Sequence, residues 1–149
     1  MRIEHANAAT GLMMLAGDFA LKGEAPRLGE PAQDLVVLGF TDTRLAASSA
    51  SLAGGGARPA VVAAVDKSAG GGPVFDRSGA LVGLVAPIAD EPKRVAGVPL
   101  AAPHALIAPG AIRAFVVGGE PVSASAAPLS AGDIAAREKK ALVAVFCPK

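Results

Sequence analysis

Acyl-transfer chemistry needs a nucleophilic oxygen or sulfur, an imidazole within hydrogen-bond reach to take its proton, and a carboxylate to orient that imidazole. This chain offers few such groups. The histidines are His5 and His104, and the one cysteine is Cys147, near the end of the 149 residues. A single cysteine closes no internal disulfide and gives no ligand pair for zinc, so no metal or cofactor is expected. Among the hydroxyl residues, Ser68 stands at a glycine-rich turn, Ser68-Ala69-Gly70-Gly71-Gly72-Pro73. Its hydroxyl lies two residues before Gly70, with no base in view. Successive backbone N–H groups in a turn of this composition can converge on an anion, as an oxyanion hole does, and Ser68, Gly70 and Gly71 are the residues that would form it. The alternative is that the glycines only turn the chain between strands. His5 and His104 read as surface histidines.

The elements that must position such a turn are strands. Hydrophobic residues make up 52% of the chain and charged residues 18%, which excludes disorder of the whole. Gly 18 and Pro 12 favour many turns over long helices. Period and turn signals predict strands at Leu12–Leu15, Leu35–Phe40, residues 44–53, Ala60–Val65 and Gly97–Ala102, the last followed by Pro103 and a helix over 107–117. The firmest local signal is Val74 to Val85, where two apolar runs flank Asp76-Arg77-Ser78-Gly79, a hairpin that should bury Phe75. Residues 118–129 read as a linker. Ser130 with Asp133 resembles a capping box opening a helix to about Lys140, and Ala141–Cys147 reads as a final strand. The fold class is all-β.

Charge and composition narrow the partners. With a net charge of +1, scattered basic residues, no Trp and no Tyr, the chain lacks the basic stripe and stacking aromatics of a nucleic-acid binder. No apolar run reaches the ~20 residues that span a bilayer, and Met1-Arg2-Ile3-Glu4-His5 is too polar for a signal peptide.

The segment Ser68-Ala69-Gly70-Gly71-Gly72-Pro73-Val74-Phe75-Asp76 is similar to the Gly-x-Ser-Gly-Gly-Pro signature of trypsin-like serine peptidases, which the same hairpin follows in that family. Further matches come in the family's order and point to its bacterial HtrA type. Gly11-Leu12-Met13-Met14-Leu15 is similar to the strand that carries the orienting aspartate. Gly29-Glu30-Pro31 through Phe40 resembles the strand joining two barrels, Leu81–Val85 the strand edging the substrate pocket, and Gly97-Val98-Pro99-Leu100-Ala101-Ala102-Pro103 the family's Gly-Ile-Gly-Phe-Ala-Ile-Pro strand.

The resemblance implies a trypsin-like antiparallel β-barrel over residues 1–117: an incomplete first barrel to about 43, a second barrel over about 44–117, then the linker and a helix–strand tail over 130–149. It puts Gly70 at the nucleophile and Gly11 at the orienting aspartate, with Ser68 where the signature begins. The family's histidine falls upstream of its aspartate, in a segment this chain does not contain. The expectation is a catalytically inactive peptidase-like domain that binds a protein or peptide. Alternatives are a fragment of a serine endopeptidase and a structural or assembly subunit, the latter including a homodimer through the tail docking on first-barrel strand edges. The family suggests a periplasmic or secreted location.

Overall fold

The computed structural model describes residues 1–22, 26–54, 58–116 and 127–145. The apolar run Leu35-Val36-Val37-Leu38 lies in β3 (Asp34–Thr41), and all four side chains are at most 1% exposed. A strand with one wet face would alternate; this one does not, because both of its faces are covered. β3 pairs with β4 (Arg44–Ala53) on one side and β6 (Pro73–Asp76) on the other. With β5 (Ala60–Ala63), β7 (Leu81–Val85) and β10 (Ala102–Ile107) these close a six-stranded antiparallel barrel, ordered β10-β5-β4-β3-β6-β7. Leu35, Val37, Val61, Val74, Val82, Val85 and Leu106 fill its interior, mostly branched residues of moderate volume suited to a narrow barrel. On the outside, Val36, Leu38, Phe75 and Leu81 form a second cluster closed by Ile134.

β3 thus belongs to the closed barrel, and the boundary expected near residue 43 does not fall between barrels. What precedes it is smaller than a barrel. β1 (Arg2–Asn7), unforeseen because every residue in it is exposed and the run is short of apolar side chains, forms a two-stranded sheet with β2 (Leu12–Ala16). Among the described residues this sheet pairs with no other strand. The hairpin Val74–Val85 forms as expected. Asp76 Oδ1 fixes its turn by accepting hydrogen bonds from Ser78 N at 2.9 Å and Ala80 N at 3.0 Å.

Downstream, the strand expected at Gly97–Ala102 is displaced. Arg94–Val95 (β8) and Val98–Pro99 (β9) make a minor hairpin, and the barrel strand β10 runs through Pro103 to Ile107. Pro103 is tolerated because it falls where β10 pairs only with β5, whereas β7 joins at Leu106 and Ile107. Helix α1 accordingly starts at Pro109, a favoured first-turn residue, and ends at Phe115.

The expected capping box is present in α2 (Ala131–Glu138): Ser130 Oγ accepts from Asp133 N at 3.1 Å and donates to Asp133 Oδ2 at 2.6 Å. The tail docks, but differently from the expectation. It lays the Ile134 face of a helix over the outside of the barrel instead of pairing with strand edges near β2, and Ala141–Val145 forms no strand. A closed barrel leaves few edges to join. Residues 118–126 of the linker, with Phe146 and Cys147, lie outside the described residues.

Glu138 shares the inward face of α2 with Ile134 and is 3% exposed, and Arg137 Nε lies 3.3 Å from its carboxylate. Burial pushes its carboxyl above the ordinary range, and Arg137 opposes that only in part. A raised folded-state pKa means the folded protein holds this proton more tightly than the unfolded chain. The contribution to stability is therefore full below the ordinary glutamate pKa and is lost as pH rises through the raised value. Glu138→Gln is expected to gain stability over wild type at neutral pH, and the difference should shrink toward about pH 4–5. Urea melts of both proteins across that window check the sign; an advantage that grows on acidification would overturn it.

Candidate functional site

The run Ser68–Pro73 links a single 3-10 turn (Lys67–Ala69) to β6 at one mouth of the barrel. The turn is closed on itself. Ala69 N donates to Asp66 O at 2.9 Å, Gly70 N to Lys67 O at 3.1 Å, Gly71 N to Val85 O at 2.8 Å, and Gly72 N to Ala69 O at 2.9 Å. Four successive donors are spent on the protein's own carbonyls, so in this conformation the N–H groups of Gly70 and Gly71 do not converge on an external anion.

Gly70 is also crowded. A Cβ there would stand 3.0 Å from Ile88 N and 3.3 Å from Pro87 Cα. A side chain there would have to press the backbone that follows β7 aside by a few tenths of an ångström. Gly11, the other position the resemblance singled out, lies far along the chain in the β1–β2 turn. Its φ of +72° and its N–H donation to Asn7 O at 2.9 Å explain glycine there by backbone geometry alone.

The remaining candidates are not brought together. Ser68 is exposed and borders two cavities. In the one of about 200 Å³ its carboxylate neighbour is Asp66, ion-paired with Arg94. No histidine lines either cavity. His5 stacks on Phe115 of α1 with ring centroids 4.9 Å apart, so an exposed histidine ties the β1–β2 hairpin to the barrel's helix. His104 is half-buried, against the expectation of an exposed surface residue, and its Nε2 is buried without a hydrogen-bond partner among the described residues. It lines a different cavity, formed by residues 86–93 and 100–105. Among the described residues there is no grouping of His, Cys, Asp and Glu able to hold a metal ion, and no helix long and apolar enough to cross a membrane.

The feature at this mouth that the sequence did not signal is a groove. It has a volume of about 480 Å³ and runs between the Leu38–Phe40 end of β3 with the Gly70–Pro73 turn on one side and Leu142–Val145 on the other. Leu45 adds to its apolar lining. Chemically it offers apolar surface and backbone, with no acid–base pair. Comparisons with protein-family models, with curated proteins and with solved structures found no match.

Proposed function

We propose that this chain is a catalytically silent domain derived from the trypsin-like, HtrA-type peptidase fold, and that it binds protein or peptide segments without cutting them. The observation that carries the reading is Gly70: it has no side chain, and Ile88 N stands 3.0 Å from where a Cβ would be. The order of elements supports descent from that fold. A glycine-rich turn leads into the β6–β7 hairpin, and β10 ends at Ile107, after which Ala108-Pro109 opens α1. The groove beside the turn supplies a surface suited to an extended peptide. The same resemblance suggests a periplasmic or secreted location.

The test combines labelling and retention. A fluorophosphonate probe should leave the protein unlabelled, and reduced, carboxymethylated casein should be retained on it uncleaved. Gly70→Ser is expected to gain neither label nor turnover, since no imidazole lines the groove to take the new hydroxyl's proton and the added Cβ would press on Ile88 N. Turnover blocked by a serine-directed inhibitor would overturn the reading in favour of a serine endopeptidase.

A second reading, an assembly subunit, draws on the β1–β2 hairpin, where Ile3 is 59% and Met13 54% exposed. Apolar side chains held on an isolated hairpin are a docking surface in many assemblies. Solution mass separates it from the first: a stable dimer or higher assembly that retains no casein would favour the subunit.

A further inference from the structure

The sheet of β1 and β2 has two strands, so each of them has an unpaired edge among the described residues. In an antiparallel pair, alternate residues turn their N–H and C=O away from the partner strand. On β2 no backbone group from Met13 to Ala16 hydrogen-bonds to a described residue outside β1, which leaves the outward-turned groups for another strand. The two edges are not alike. β1 carries devices that block strand addition: the charged pair Arg2 and Glu4, 3.1 Å apart, and a bulge between Ile3 and His5. β2, Leu12-Met13-Met14-Leu15-Ala16, has no charge and no proline. Its register also builds an apolar face. Ile3 lies beside Leu15 and Ala6 beside Met13 on one side of the sheet, with Ile3 59% and Met13 54% exposed. A two-stranded hairpin is marginal in water and is stabilised by further strands.

We propose that β2 is a dimer edge. Its occupant is β2 of a second copy, antiparallel about a two-fold axis through Met14, and the result is a four-stranded sheet with the two β1 strands outermost. This goes beyond peptide binding; it rests on the assembly reading above and gives it an interface. A two-fold axis perpendicular to a sheet keeps each face on its own side, so residues set opposite each other differ by an even number. Of those registers, the one centred on Met14 pairs all five residues of β2. It sets Leu12 of one copy against Ala16 of the other, Met13 against Leu15, and Met14 against Met14. No charge meets a like charge. On one face the row Ile3, Leu15, Met13, Ala6 then runs unbroken across four strands, and on the other the row His5, Met14, Met14, His5. A second copy is the occupant because the edge matches itself in length and chemistry, and because the charged, bulged β1 strands then stand on the outside and stop addition at two. Five residues a side is well below the standard interface size, so the dimer is weak, with a dissociation constant in the micromolar-to-millimolar range.

Sedimentation equilibrium of the full chain from about 10 µM to about 1 mM should show the mass rising from one chain toward two. Met13→Lys adds a charge at an exposed position and should raise the dissociation constant about tenfold or more, because symmetry removes two Met13–Leu15 pairs at once. Its melting curve at low concentration should match that of wild type. Cross-linking gives a second readout that leaves the hairpin uncharged. In a Cys147→Ser background, Met14→Cys should form an intermolecular disulfide on mild oxidation, since opposed residues of paired strands have Cα atoms within the ~4.4–6.8 Å that a disulfide spans. Met13→Cys should not, because the two copies of residue 13 are offset by two positions and stand beyond ~7 Å. A wild type that stays at one mass up to about 1 mM would overturn both this interface and the assembly reading. Dimerisation unaltered by Met13→Lys, with no cross-link at position 14, would leave the assembly reading standing and remove this edge from it. Equal cross-linking at positions 13 and 14 would overturn the two-fold through Met14.

Discussion

Gly72→Ala should be among the most damaging single substitutions in the chain, costing more than the ~1–3 kcal/mol typical of an overpacked methyl. An ideal Cβ at this position collides with Leu38 O and falls 2.8 Å from Ala69 O. Both are backbone atoms, one in the barrel wall and one in the 3-10 turn, so no rotamer change relieves the clash. The turn would have to lift off β3, breaking the bond from Gly72 N to Ala69 O and disturbing that from Val85 N to Gly72 O. Gly71 provides the control one residue away. Its φ is +81° and a methyl placed there would meet no heavy atom within 4 Å, so Gly71→Ala should cost only the ~1–2 kcal/mol of a left-handed backbone. Chemical denaturation of the pair separates the two causes. A Gly72→Ala protein no less stable than Gly71→Ala would show that the turn is not pressed against β3.

Truncating Phe75 is expected to cost about 3–5 kcal/mol, the range for emptying a buried aromatic site. The ring is fully buried, yet it points away from the barrel interior, into the layer between the barrel wall and α2. Its neighbours there are Val36, Leu38, Leu81 and Ile134. Set against the ~5–15 kcal/mol that a domain of ordinary stability possesses, Phe75→Ala should bring the protein near its unfolding threshold. The midpoint of denaturation should fall with little change in slope, because the surface exposed on unfolding stays nearly the same. A loss below about 1 kcal/mol would mean that α2 settles inward and fills the space.

The elements legible in the sequence were those whose pattern is local. The capping box at Ser130 and Asp133 and the hairpin turn at Asp76–Gly79 are set by side chains bonding to backbone within a few residues, and both stand where expected. So does the burial of Phe75. Strand boundaries near proline were less legible. Pro103 reads as a terminator, but whether a proline ends a strand depends on which neighbour lacks the missing N–H, and that is decided by the register of β10 against β5 and β7. β1 was invisible because an exposed hairpin strand has no apolar period to detect. At the site, Gly70 and Gly11 were identified by what they lack. The features that decide what the mouth of the barrel can do come from distant segments, Pro87–Ile88 and Leu142–Val145, and no spacing rule connects these to Gly70.

The barrel's last seam has a kinetic consequence. β10 completes the ring by pairing Leu106 with Val85 and Ala102 with Ala63, so the two edges it bridges are laid down well before their partner. Until residues 102–107 are available, β5 and β7 present open edges, and the interior valines between them face water. Contacts so distant in sequence carry a loop-closure cost before they return any packing, which places folding in the slow, millisecond-to-second regime of non-local β topologies. The open sheet is also the species most exposed to intermolecular pairing. Conditions that hold β10 back, such as a ribosome stalled before residue 102, are therefore the ones under which this chain should aggregate.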